Sequence, residues 1–84
     1  SKPQALVVPE VDELYNWINE YCYRLSVFYI RKNTILQYGP NRFRERNKLN
    51  ELLYTLYSQN RIHAYKSGKT VYIQPIAQQS GLIL

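Results

Sequence analysis

Gly39-Pro40 lies between two apolar-periodic segments and prevents them from being one helix. Proline has no N–H to continue the helical ladder, it restricts the residue before it, and glycine is the usual helix terminator. Upstream, Arg31 to Tyr38 carries Ile35 and Leu36 and fits a short helix of about two turns, its glycine expected to supply a left-handed end. Downstream, Leu49, Leu52, Leu53, Leu56 and Tyr57 form an apolar stripe that ends near Ser58-Gln59-Asn60. At about 100° per residue, Arg44, Lys48, Glu51 and Thr55 fall on the opposite face. Extended straight back, this helix would point Arg42 and Arg46 into the core, so it is expected to begin no earlier than Phe43 or Arg44, or to kink there.

The segments on either side complete the plan. Pro9 suits a first helical turn, and Glu10, Asp12 and Glu13 place negative charge at the positive end of a helix dipole. Val11, Leu14, Tyr15, Ile18, Tyr21, Cys22 and Leu25 recur at spacings of three and four, which predicts an amphipathic helix from about Glu10 to Arg24. Ser26-Val27-Phe28-Tyr29-Ile30 reads as one short strand or an extended connection. Arg61 to Tyr65 and Thr70 to Gln74 are two β-favouring runs around Lys66-Ser67-Gly68-Lys69, and Pro75 closes the second. Ile62 and Ala64 alternate onto one face, where Val71 and Ile73 pair with them.

Helix, short strand, short helix, tight turn, longer helix and β-hairpin is the order of an α+β winged helix-turn-helix with three helices and a C-terminal wing. Residues 9–75 are expected to form this domain, with 1–8 a linker or N-terminal arm and 76–84 a tail. The chain opens at Ser1 and has no methionine, which suggests a piece of a longer protein or a cloning scar.

Charge is unevenly placed along this plan. Residues 1–30 set Lys2 and Arg24 against Glu10, Asp12, Glu13 and Glu20, a balance of −2. Residues 31–69 carry nine Lys and Arg against Glu45 and Glu51, a balance of +7. A basic half of this kind is the footprint of a polyanion partner, set against the plainer reading of charge that only keeps a surface solvated. In the winged-helix geometry Arg44, Asn47 and Lys48 lie near the start of the third helix, where base edges are read. Arg31, Lys32 and Arg42 are expected around the turn and Lys66 and Lys69 at the wing, with Arg46 joining them on backbone phosphates.

No other chemistry stands out. The three glycines are scattered at turns, so there is no phosphate-binding loop, and the chain implies no cofactor. His63 and Cys22 are alone of their kind, too few for a zinc site, and the acids of the first helix read as its N-terminus, not an acid/base pair. The domain is therefore expected not to be an enzyme. A single cysteine argues for a reducing, cytoplasmic setting, and no apolar run approaches the roughly 20 residues of a membrane span.

The stretch from Arg31 to Pro75 resembles the C-terminal region of phage-, prophage- and mobile-element-encoded primase/helicase-like proteins. The matching pieces are Ile35 to Pro40 with its Gly-Pro turn, Arg44, the leucines of the third helix and the hairpin ending Ile73-Gln74-Pro75, together with Trp17-Ile18 in the first helix. Asn60, where the pattern has glycine, and the richness in tyrosine are departures. The resemblance implies a nucleic-acid-associated accessory domain of a replication or mobile-element protein with its ATPase upstream.

Two further readings stay open. Of nine tyrosines, Tyr15, Tyr21, Tyr54 and Tyr57 are expected at least partly in helix packing, and Tyr29, Tyr38, Tyr65 and Tyr72 partly exposed. Exposed tyrosines among Arg and Lys would stack single-stranded bases. They would serve a protein interface equally well, where Leu82-Ile83-Leu84 would dock on another copy or on other domains of the parent.

Overall fold

The computed structural model describes residues 8–77; the remainder of the expected N-terminal arm and the tail, Leu82-Ile83-Leu84 included, lie outside the described residues. Helix α1 spans Glu10–Leu25, strand β1 Ile30–Arg31, helix α2 Lys32–Tyr38 and helix α3 Arg46–Ser58, with a single 3-10 turn, Asn41–Phe43, before α3. Strands β2, Ile62–Ser67, and β3, Thr70–Pro75, form the hairpin. All three strands join one antiparallel sheet in the order β1-β3-β2. The winged-helix plan is therefore present, with β1 added as a third strand.

Helix α1 begins at Glu10, where its periodicity places it. Pro9 is the N-cap, and its carbonyl accepts from the N–H groups of Asp12 and Glu13, each at 3.0 Å. The helix ends on Ser26 in the left-handed region (φ 54°), with the Val27 N–H donating to the Cys22 carbonyl at 3.0 Å. This reversal consumes the first half of the expected strand, so β1 is only two residues long. Its register, Ile30 opposite Ile73 and Arg31 opposite Tyr72, would set Phe28 opposite Pro75, which has no N–H for the ladder.

Gly39 corrects another expectation. Its φ is −70°, so it is not a left-handed cap. The glycine is needed for space: a Cβ there would lie 2.6 Å from the carbonyl oxygen of Ile35, which already accepts the Gly39 N–H at 2.9 Å. Gly39→Ala should lower stability by about 2 kcal/mol through overpacking. For a domain of this size that moves Tm down by roughly 10 °C, readable by circular dichroism. At Asn60 the backbone is left-handed (φ 58°), a conformation asparagine tolerates better than most residues, so it does the work a glycine would do before the hairpin.

The hairpin is tighter than a four-residue loop. Ser67 and Thr70 pair, leaving Gly68 and Lys69 as the turn, with Gly68 at φ 61° in the first position, as a type II′ turn requires. The expected pairing of apolar positions holds only in part: Ala64 lies opposite Ile73, but the register sets Ile62 opposite Pro75 and Val71 opposite Lys66. Leu14 and Ile18 from α1, Ile30 from β1, Ile35 from α2, Phe43, Leu49 and Leu56 of α3, and Ile62 and Ile73 of the sheet make one fully buried core. Leu25, expected on the apolar stripe of α1, is exposed, because the stripe runs past the end of the core. Cys22 belongs to the core margin, where burial pushes its thiol pKa up.

Candidate nucleic-acid interface

The start of α3 is set by Glu45. Its carboxylate accepts from the N–H groups of Lys48 at 2.7 Å and Asn47 at 3.0 Å, capping donors that the first helical turn leaves unpaired. Those two backbone bonds, Lys48 first, hold the Glu45 carboxyl below the usual carboxylate range. The cap places Arg46 as the first helical residue, exposed, while Arg42 lies apart in the 3-10 turn. The break between turn and helix keeps Arg42 out of the core, while Arg46, on α3 itself, opens into a groove.

Helix α1 claims part of the basic charge. Glu13 pairs with Arg42, Glu10 with Lys48 at 2.6 Å and Asp12 with Arg61 at 2.6 Å. Arg61 also lies over the Tyr15 ring at 4.2 Å, while the Tyr15 hydroxyl donates to the Ile76 carbonyl. Arg42 crosses the Phe43 ring at 5.0 Å. The acids at the start of α1 thus act through space on the third helix and the hairpin as well as on their own helix dipole. Arg44 is also engaged within the fold: its guanidinium donates to the Gln37 carbonyl and to the Asn41 side chain at 3.0 Å, tying the end of α2 to the 3-10 turn.

Three basic residues outside these pairs converge elsewhere. Lys32 at the start of α2, Arg46 at the start of α3 and Lys69 in the hairpin turn line one groove of about 220 Å3, with Asn33, Thr70 and Val71 between them. Lys32 and Val71 also line an adjoining groove of about 270 Å3 between α3 and the hairpin, walled by Asn50, Tyr54 and Tyr57 over Leu53, Ala64 and Ile73. The two form one trough, basic at the end where α2, α3 and the wing meet. Lys66 lies opposite Val71 and so shares the trough face of the hairpin. Asn47 stands exposed at the first turn of α3.

The nine residues singled out by sequence therefore separate. Lys32, Arg46, Lys66 and Lys69 lie on the trough side, and Asn47 is exposed beside Arg46 in the first turn of α3. Arg31 lies opposite Tyr72 on the other face of the sheet. Arg42, Arg44 and Lys48 are held by protein groups. Lys32 sits at the end of α2 remote from Gly39-Pro40, so Arg31 and Lys32 do not flank the turn. Sequence reasoning missed Asn50, whose signal is its place three residues after Asn47. It also assigned Tyr54 and Tyr57 to packing, whereas their side chains are 71% and 54% exposed along the trough wall. Tyr29, Tyr38 and Tyr65 are exposed, as expected, and Tyr72 is partly so.

A wide open groove lies away from this charge. About 750 Å3 at the C-terminal end of α1 is lined by Asn19, Cys22, Tyr23, Ser26, Val27 and Phe28, none of them charged. No group of His, Cys, Asp and Glu among the described residues is arranged to hold a metal ion, and no described helix is long and apolar enough to cross a membrane.

Comparison with known proteins gives a family. The chain is 52% identical over 69 residues to protein YfjI of Escherichia coli (strain K12), an alignment covering 82% of the chain and 15% of that protein. The chain thus corresponds to a small part of the length of the relative it matches. No solved structure matches it. The model of the YfjI-like C-terminal winged helix domain matches residues 10–74, the whole span from the start of α1 to the last residue but one of β3. With three helices, an antiparallel sheet and a C-terminal wing in that order, the chain belongs to the YfjI-like C-terminal winged helix domains.

Proposed function

We propose that this domain binds double-stranded DNA for a longer parent protein, through the trough between α2, α3 and the wing. The supporting observation is the convergence of Lys32, Arg46 and Lys69, from three separate segments, on one groove that continues along α3. In this reading Arg46, Lys32, Lys66 and Lys69 hold phosphates, while Asn47 and Asn50 offer amides suited to the N6/N7 edge of adenine. Arg44 and Lys48 support the shape of the reading head, and α3 itself carries little charge beyond its first turn. The domain has no catalytic step of its own here. Its place is in the cytoplasm, in a replication or mobile-element protein whose ATPase lies in the rest of the chain.

Four neutralised phosphates give a salt slope of about −3.6, so duplex affinity should fall about a hundredfold between roughly 50 and 200 mM salt. Fluorescence anisotropy with a labelled duplex measures it. A slope near zero, or no binding at tens of micromolar, removes the proposal.

Protein docking is a second reading with its own observation. Tyr23 and Phe28 are 87% and 81% exposed at the C-terminal end of α1, a surface with no part in the trough. A docking role there would leave binding to a partner unchanged by any loss of trough charge.

A further inference from the structure

The outer face of the sheet, opposite the core, carries a row that the duplex reading does not use. Register places Arg31 of β1, Tyr72 of β3 and Tyr65 of β2 side by side across the three strands. The Tyr65 and Tyr72 rings stack at 5.4 Å with 18° between their planes, and Tyr29 meets Tyr72 edge-on at 5.3 Å. Tyr65 and Tyr29 are each about half exposed. Because β2 is an edge strand, no strand among the described residues covers the side of Tyr65 turned away from Tyr72. The stack therefore ends in an open ring, with Arg31 in the register position beside Tyr72 at its other end.

Charge indicates what that ring would receive. No aspartate or glutamate occurs between residues 21 and 44 or after Glu51, so every strand of the sheet comes from carboxylate-free sequence. His63 and Gln74 extend the same face one row further. A protein surface matched to this face would have to be acidic and aromatic-binding at once. A single-stranded nucleic acid supplies both in each nucleotide, a π-faced base and a phosphate.

We infer that the outer sheet face binds single-stranded nucleic acid, with one unpaired base stacked on Tyr65, a neighbouring one against Tyr29, and Arg31 on the intervening phosphate. Arg31 and Lys32 are consecutive, yet the first belongs to this face and the second to the trough. The two surfaces therefore meet at the start of α2 while using different side chains, and this inference does not rest on the duplex reading.

The test uses the 84-residue chain and a labelled oligothymidylate of about 12 nucleotides, which has no duplex structure of its own. Tyr65→Ala should weaken its binding about tenfold, and Tyr65→Phe, which keeps the ring, should change it less than about twofold. Thermal melts of both variants check that the edge strand remains folded. Neutralising Arg46 and Lys69 should leave the tenfold Tyr65 effect in place. The inference is overturned if the oligothymidylate does not bind, or if Tyr65→Ala, or Arg31→Gln with it, leaves binding unchanged. It is equally overturned if binding responds only to Arg46 and Lys69, which would put single strands in the trough. Self-association abolished by Tyr65→Ala, with no oligothymidylate binding, would reassign the face to protein contact. Loss of duplex binding alone would leave the inference standing.

Discussion

Replacing Phe43 with alanine is expected to lower folding stability by about 3–5 kcal/mol, read as a shift of the urea midpoint at unchanged slope. The ring is fully buried and sits in the 3-10 turn that joins α2 to α3. It belongs to the same cluster as Ile35 of α2 and Leu49 of α3, so the geometry of the helix-turn-helix depends on it. Deleting it removes the transfer free energy of an aromatic side chain and leaves a cavity that three differently anchored elements cannot collapse to fill. A domain of this size has about 5–15 kcal/mol in total, so the variant should approach unfolding at ordinary temperatures. Phe43→Leu, closer in volume, should cost less than about 1.5 kcal/mol. A loss below about 1 kcal/mol for the alanine variant would mean that the turn is not held by this ring.

The second large effect separates basic residues by where the fold has put them. Neutralising Arg46 and Lys69 together should flatten the salt dependence of duplex binding from about −3.6 to about −1.8, because each phosphate contact contributes nearly one to the slope. Neutralising Arg42 and Lys48 changes net charge by the same amount but removes groups already paired with Glu13 and Glu10. That pair of changes should leave the slope near its original value and affect mainly stability, by no more than about 1 kcal/mol for each exposed pair. Equal effects from the two double variants would show that total charge, and not the trough, governs binding.

These two experiments address different layers of the molecule, and the layers were not equally visible in the amino-acid order. The leucines of α3 recur with a helical period, and the hairpin residues alternate with a period of two. Both patterns are repeated locally and survive a few residues' error in the boundaries, so the three helices and the wing were legible. The short strand was less so, because Val27 and Phe28 are good strand residues that find no partner. Ser26 turns the chain, and Pro75 lies opposite on β3. Gly39 was recognised as a terminator for the wrong reason: the need is clearance from the Ile35 carbonyl, which cannot be read from the residue type.

For the candidate interface the division is sharper. That residues 31–69 are strongly basic follows from the residues alone. Which of those charges stay available to a partner does not. Glu13 takes Arg42 from 29 residues away and Asp12 takes Arg61 from 49, pairings fixed by how α1 lies across α3 and the hairpin. Likewise, Tyr54 and Tyr57 satisfy the spacing of a buried stripe, but the stripe is wider than the surface α1 and the sheet can cover, so its edge became the wall of the trough. Periodicity and composition are properties of neighbours along the chain, and they set the elements and the sign of the field. Pairing, exposure and the meeting of Lys32, Arg46 and Lys69 depend on distances across the fold, and only packing sets those.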